Sequence, residues 1–232
     1  MKYPFLNKIG FIIISVISSA SLLSQNTEQR KLGSFSELYV TDRIIVRLVK
    51  SDNESALVKT DGIKPSDIKT EISDHKLSIQ VIGKPFIKKK TIVTLNYINI
   101  NSFTITGGAD VSTVTDFESD SLFVDLQTGG MLYLKANINY LSAKITEGAI
   151  LNAEGSIATQ DISVSASATL SAFNLKSENI NIKASTGGKA KIFAVNKLNA
   201  EASSNGYISY KGSPALINKV ENSGGIITPY TP

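Results

Sequence analysis

The sequence predicts an all-β fold, a parallel β-helix or solenoid with coils of about 19–20 residues and an irregular N-terminal β cap. Three observations predict it. Small, turn-forming residues return at a nearly fixed period, apolar residues stand at fixed offsets on both sides of them, and the residues between alternate polar and apolar. A unit of this size cannot bury its own apolar row and needs neighbours above and below, which stacking in register supplies.

The first segment stands apart from that pattern. Met1 to Gly10 carries Lys2 and Lys8 and no acid, and Phe11 to Leu23 is apolar or small throughout. Residues 1–24 therefore read as a secretory signal peptide with Ala20 or Ser24 as the cleavage position. The apolar run is shorter than the ~20 residues a spanning helix needs. The chain is expected to be exported, to the periplasm, the outer-membrane surface or the extracellular space. Losing two lysines lowers the formal charge from +4 to about +2.

Residues 25–100 read as the cap and first coils. Val40-Thr41-Asp42-Arg43-Ile44-Ile45-Val46 has the apolar, hydroxyl, turn and apolar order of the later repeats. Strands are expected at 56–59, 68–72, 76–81 and 91–95, with Ser73-Asp74-His75 as a hairpin turn. A small basic excess gathers at Lys84, Lys88, Lys89 and Lys90, read as a solvated loop. Without interleaved aromatics it gives no reason to expect a nucleic-acid partner.

Residues 101–232 hold the regular repeats. Anchors at Thr106, Gln127, Thr146, Ser165, Ser185, Ser203 and Asn222 are spaced 21, 19, 19, 20, 18 and 19 residues apart. Five residues after them stand Val111, Leu132, Leu151, Leu170, Ala190, Ile208 and Ile227, all apolar. One and three residues before the anchors the positions are again apolar, except in the last repeat, which has Glu221 and Lys219. Directly after most anchors comes a Gly-rich block such as Gly107-Gly108-Ala109 or Thr186-Gly187-Gly188, where glycine takes positive φ at little cost. A β-sandwich would also alternate, but has no reason to repeat an equivalent turn at this spacing. Pro214, Pro229 and Pro232 are expected to close the C-terminal end, since proline cannot donate to a further ladder.

Ile105-Thr106-Gly107-Gly108-Ala109-Asp110-Val111, the Gly-Gly turns at 129–130, 187–188 and 224–225, the opening Phe35-Ser36-Glu37-Leu38-Tyr39-Val40 and the strand Lys76-Leu77-Ser78-Ile79 together resemble the autotransporter adhesin head family, the GIN domain of exported bacterial β-helix proteins. The likeness spans roughly residues 33–227. It implies a right-handed β-helix, a role in cell-surface adhesion, and a homo-oligomer, a trimer by analogy with adhesin heads. Several family members carry an Asp where Asp110 stands; the later repeats have Met131, Ile150, Thr169, Lys189, Tyr207 and Ile226 there, so no acidic column runs along the rod.

The absence of cysteine excludes disulfides, thiol catalysis and Cys-ligated metals. One histidine, His75, in an expected hairpin offers no triad. No metal site or cofactor is expected, since the G-G-x-G-x-D calcium repeat of β-rolls never occurs. The hydroxyl column Thr41, Thr106, Thr146, Ser165, Ser185 and Ser203 reads as closing turn hydrogen bonds. Tyr133, Tyr207 and Tyr210 are aromatics that could stack on sugars, with Tyr210 at an inward offset. The expected function is a non-enzymatic adhesion, ligand-binding or scaffold role, with glycans or envelope proteins as partners. The alternative is a polysaccharide lyase or hydrolase using Asp110, Asp116, Glu118, Asp120 and Asp125, which would need two carboxyls about 5–9.5 Å apart.

Overall fold

The type of turn decides this architecture. The computed structural model describes residues 26–83 and 90–231; the expected signal peptide and Lys84, Lys88 and Lys89 lie outside the described residues. At Asp42–Arg43, Gly107–Gly108, Thr128–Gly129, Glu147–Gly148, Ala166–Ser167, Thr186–Gly187, Ser204–Asn205 and Ser223–Gly224, both central residues have positive φ between 47° and 79°. The anchor carbonyl then accepts the amide three residues on, as in Ala109 to Thr106 at 3.0 Å and Gly206 to Ser203 at 2.8 Å. These are type I′ turns, bending the chain sharply between two strands. They also stack: the Gly108, Gly129, Gly148 and Ser167 amides donate to Thr128, Glu147, Ala166 and Thr186 carbonyls of the next coil at 3.0–3.1 Å. The backbone carbonyl closes each turn, so the hydroxyl column has a lesser part than expected; Ser165 Oγ donates to Thr146 Oγ1 at 3.4 Å instead.

The described strands are β1 (Asn26–Lys31), β2 (Glu37–Val40), β3 (Ile45–Lys50), β4 (Ser55–Thr60), β5 (Ile68–Ser73), β6 (Lys76–Val81), β7 (Thr91–Tyr97), β8 (Ser102–Ile105), β9 (Asp110–Thr113), β10 (Phe117–Leu126), β11 (Met131–Ile145), β12 (Ile150–Val164), β13 (Thr169–Ala184), β14 (Lys189–Ala202), β15 (Tyr207–Lys211), β16 (Leu216–Glu221) and β17 (Ile226–Pro229). From β8 onward they pair in parallel, coil upon coil, making the solenoid of about seven turns at about 19 residues each. A wall of strands entering the turns runs through β8, the ends of β10 to β14, and β16; a wall leaving them runs through β9, the starts of β11 to β14, β15 and β17. The inward columns are the expected ones. Ile105, Leu126, Ile145, Val164, Ala184 and Ala202 form one, Val111, Leu132, Leu151, Leu170, Ala190 and Ile208 another, and all are buried.

The N-terminal coil departs from chain order. The β2–β3 coil lies between β6 and β7 on one side and β8 and β9 on the other. Beyond it the chain returns antiparallel, β5 on β6, β4 on β7 and β1 on β4, with the expected hairpin at Asp74–His75. Arg30 latches this end: its guanidinium donates to the Ile68 and Pro65 carbonyls, each at 2.7 Å, and to Thr70 Oγ1 at 3.0 Å. It also pairs with Glu28, whose carboxyl is held below its ordinary range by that hydrogen bond.

At the opposite end Pro229 stands at the end of the terminal strand β17, and Pro232 lies outside the described residues. Strand β16 contains no proline, and its residues are exposed along its whole length. Lys219 and Glu221 instead occupy the registers of Ala200 and Ala202, which face the core in the coil below. The Lys219 ammonium lies 4.7 Å from the Tyr210 ring centre, and a Glu221 carboxylate oxygen accepts the Ile227 amide. Inward-pointing charge is a recognised way to stop a sheet edge from recruiting another strand.

Candidate groove on the outer wall

The five candidate acids do not converge. Asp110 stands in register between Ile45 and Met131, and burial pushes its carboxyl above the usual range. Asp125 lies between Thr104 and Lys144 and accepts Gln127 Nε2 at 2.8 Å. Asp116 lines a depression with Lys135 and Glu154, themselves paired at 3.4 Å. Glu118 and Asp120 share a separate polar hollow, where Glu118 faces Asn137 across the coils and Asp120 accepts Asn139 Nδ2 at 3.1 Å. Both side chains are exposed to solvent. The expected aromatics also separate. Tyr210 is buried, while Tyr133 and Tyr207 are exposed but four coils apart, ~19 Å along the stack at ~4.8 Å per coil. His75 is exposed in its hairpin.

What the stack does assemble lies four residues before the anchors, a column that the sequence reading passed over. Ser142, Asp161, Asn181, Asn199 and Asn218 succeed one another in register on the outer side of the entering wall. Asn181 Nδ2 donates to Asp161 Oδ1 at 2.6 Å, Asn199 Nδ2 to Asn181 Oδ1 at 2.8 Å, and Asn218 Nδ2 to Asn199 Oδ1 at 2.8 Å. At the lower end the Tyr140 hydroxyl donates to Asp161 Oδ2 at 2.7 Å, which raises the tyrosine above its ordinary range. The ladder lines a groove of about 690 Å³, flanked by Lys144, Ser163, and Lys183 paired with Glu201 at 2.9 Å. Phe123, one coil below Ser142, is 51% exposed and meets Tyr140 edge-on at 6.3 Å.

Chemically the ladder is a row of pre-ordered amides. Each internal Asn uses one N–H and one carbonyl lone pair within the column, and keeps one of each for a ligand. The hydrogen bonds fix the rotamers, so little side-chain freedom is left to lose on binding.

The sequence model of the family "Putative auto-transporter adhesin, head GIN domain" matches residues 34–214. The chain belongs to this GIN-domain family. Solved structures repeat the fold: a putative adhesin of Bacteroides fragilis NCTC 9343 superposes with a TM-score of 0.78 at 17% identity, over 88% of this chain and 96% of that one. A putative adhesin of Parabacteroides merdae ATCC 43184 gives 0.72 at 17% identity, over 89% and 96%. A putative lipid binding protein of Parabacteroides distasonis ATCC 8503 gives 0.66 at 17%, over 89% and 97%. No curated protein matches the chain. These likenesses carry the solenoid architecture of the GIN domain. No helix among the described residues is long and apolar enough to cross a membrane.

Proposed function

We propose that this GIN domain is an exported, non-enzymatic adhesin-like module that binds glycan chains of a cell surface along the amide groove. The carrying observation is the hydrogen-bonded column Asp161–Asn181–Asn199–Asn218 within that groove. An amide offering one donor and one acceptor suits the paired hydroxyls of a sugar, and the coil repeat of ~4.8 Å is close to the advance of one pyranose along an extended chain. Many weak, regularly spaced contacts then add up through effective concentration. Phe123 supplies a ring face at the lower end. The family assignment and the adhesin names of the structural neighbours support the reading.

A screen of the purified protein against neutral and acidic glycans tests it. Retention of an extended glycan that Asn181→Ala/Asn199→Ala loses is the expected result. Cleavage of any such glycan, abolished in Glu118→Ala/Asp120→Ala, would replace the adhesin reading with the enzyme. Light scattering checks for the trimer of the adhesin-head analogy.

A further inference from the structure

One coil is a residue longer than its neighbour: Ser165 to Ser185 spans 20 residues where Thr146 to Ser165 spans 19. The structure shows where the extra residue goes. Asn152 is in register with Ser171, but Glu154 is in register with Asn174, so Ala153 is opposed by both Ala172 and Phe173. This is a β-bulge, a device that re-aims a side chain. Ala172 stays buried in the core column, and Phe173 is turned outward.

Its ring is the centre of a cluster. Tyr230 packs against it with ring centres 4.7 Å apart, Lys211 Nζ lies 4.7 Å from the Phe173 centre and 5.1 Å from that of Tyr230, and Lys191 Nζ lies 5.9 Å from Phe173. Neither lysine has an acidic partner within ion-pair distance among the described residues. Beside the ring a cavity of about 450 Å³ opens, bounded by Tyr133 as a second aromatic and by Asn152, Ser171 and Asn174. That volume lies within the usual range for small-ligand sites, ~300–1,000 Å³.

We propose that the bulge builds a second binding site, on the wall leaving the turns, for an anionic glycan with carboxylate-bearing sugar units. Ring faces of Phe173 and Tyr133 take the apolar face of a pyranose. The Asn152, Ser171 and Asn174 side chains take its hydroxyls, and the two unpaired ammonium groups take the carboxylate. Charge complementarity selects the acidic sugar, because Lys135 in the same cavity is already engaged by Glu154, whereas Lys191 in the cavity lining and Lys211 against the Phe173 ring have no acidic partner among the described residues. The site is independent of the amide groove, which lies on the opposite side of the turns.

Calorimetric titration of the protein with oligogalacturonate, and with the same oligomer after carboxyl reduction, tests this. Oligogalacturonate is expected to bind, and the reduced oligomer to bind at least tenfold more weakly. Lys191→Gln/Lys211→Gln should weaken oligogalacturonate about tenfold or more. Deleting Phe173 restores the 19-residue spacing and should abolish binding; circular dichroism and the melting temperature report whether that variant keeps its fold. Asn181→Ala/Asn199→Ala should leave this titration unchanged, so a failure of the amide groove does not disturb it. Absence of oligogalacturonate binding, equal binding of the reduced oligomer, or undiminished affinity in the double lysine variant would each overturn the proposal. Binding of phosphatidylglycerol vesicles in place of oligogalacturonate would overturn it in favour of a lipid surface.

Discussion

Replacing Ala166 and Ser167 with glycine should stabilise the protein, although glycine elsewhere in a strand protein weakens it. Both residues sit at the centre of a type I′ turn with φ of 49° and 61°. An L-residue held there costs ~1–2 kcal/mol. Glycine removes that strain but adds unfolded-state freedom worth ~0.4–1 kcal/mol per site. The balance is a gain of about 1–2 kcal/mol for the pair. No hydrogen bond is lost, because the turn is held by backbone groups: the Ser167 amide donates to the Thr186 carbonyl and the Ala168 amide to the Ser165 carbonyl, each at 3.1 Å. Urea unfolding of Ala166→Gly/Ser167→Gly should show a raised midpoint at unchanged slope, and the melting temperature should rise by roughly 4 °C for a chain of this size. An unchanged or lowered midpoint would mean that these residues are not in the left-handed region, and the stacked-turn description would fail with them.

Three further outcomes follow from the same geometry. Gly155 has φ of +113°, and a Cβ there would lie 2.1 Å from the Ala136 carbonyl oxygen; Gly155→Ala should cost about 3 kcal/mol, read as a lowered urea midpoint. Gln160 interrupts a buried column between Leu141 and Ile180, donating to Ser177 but leaving Oε1 without a partner, so Gln160→Leu should stabilise the fold by about 1 kcal/mol, read as a raised urea midpoint. The Asp110 carboxyl is raised in the folded chain, so the folded state binds its proton more tightly than the unfolded state does. Its burial is therefore harmless below the ordinary value of 3.8 and costs stability as pH rises through the folded-state value. Asp110→Asn should consequently melt higher than the parent at neutral pH and level with it in acid.

The turn anchors and inward columns were legible because each is a strict local pattern: two positive-φ positions followed by an inward residue at a fixed offset. The order of the N-terminal coils was not, since nothing in Val40 to Val46 says that β6 and β7, later in the chain, pack outside them. Glu221 and Lys219 were visible as a break in the apolar columns, yet the prolines drew the capping role. The physics favours the charges, because proline blocks donation at one residue only, whereas a charge facing inward must be desolvated by any strand that docks. The amide ladder could have been found in the same alignment by reading one outward column further, where Asp161, Asn181, Asn199 and Asn218 stand exactly four residues before their anchors. The 20-residue spacing announced an extra residue, but only the register identified it as Phe173.

The most direct test of the account is how affinity depends on the length of a neutral oligosaccharide titrated against the amide groove. If the ladder reads one sugar per coil, the dissociation constant should fall with each added unit until the column from Asp161 to Asn218 is spanned, then level off, and Asn199→Ala should flatten the series midway. An affinity independent of chain length, or a series that Asn199→Ala leaves untouched, would contradict it.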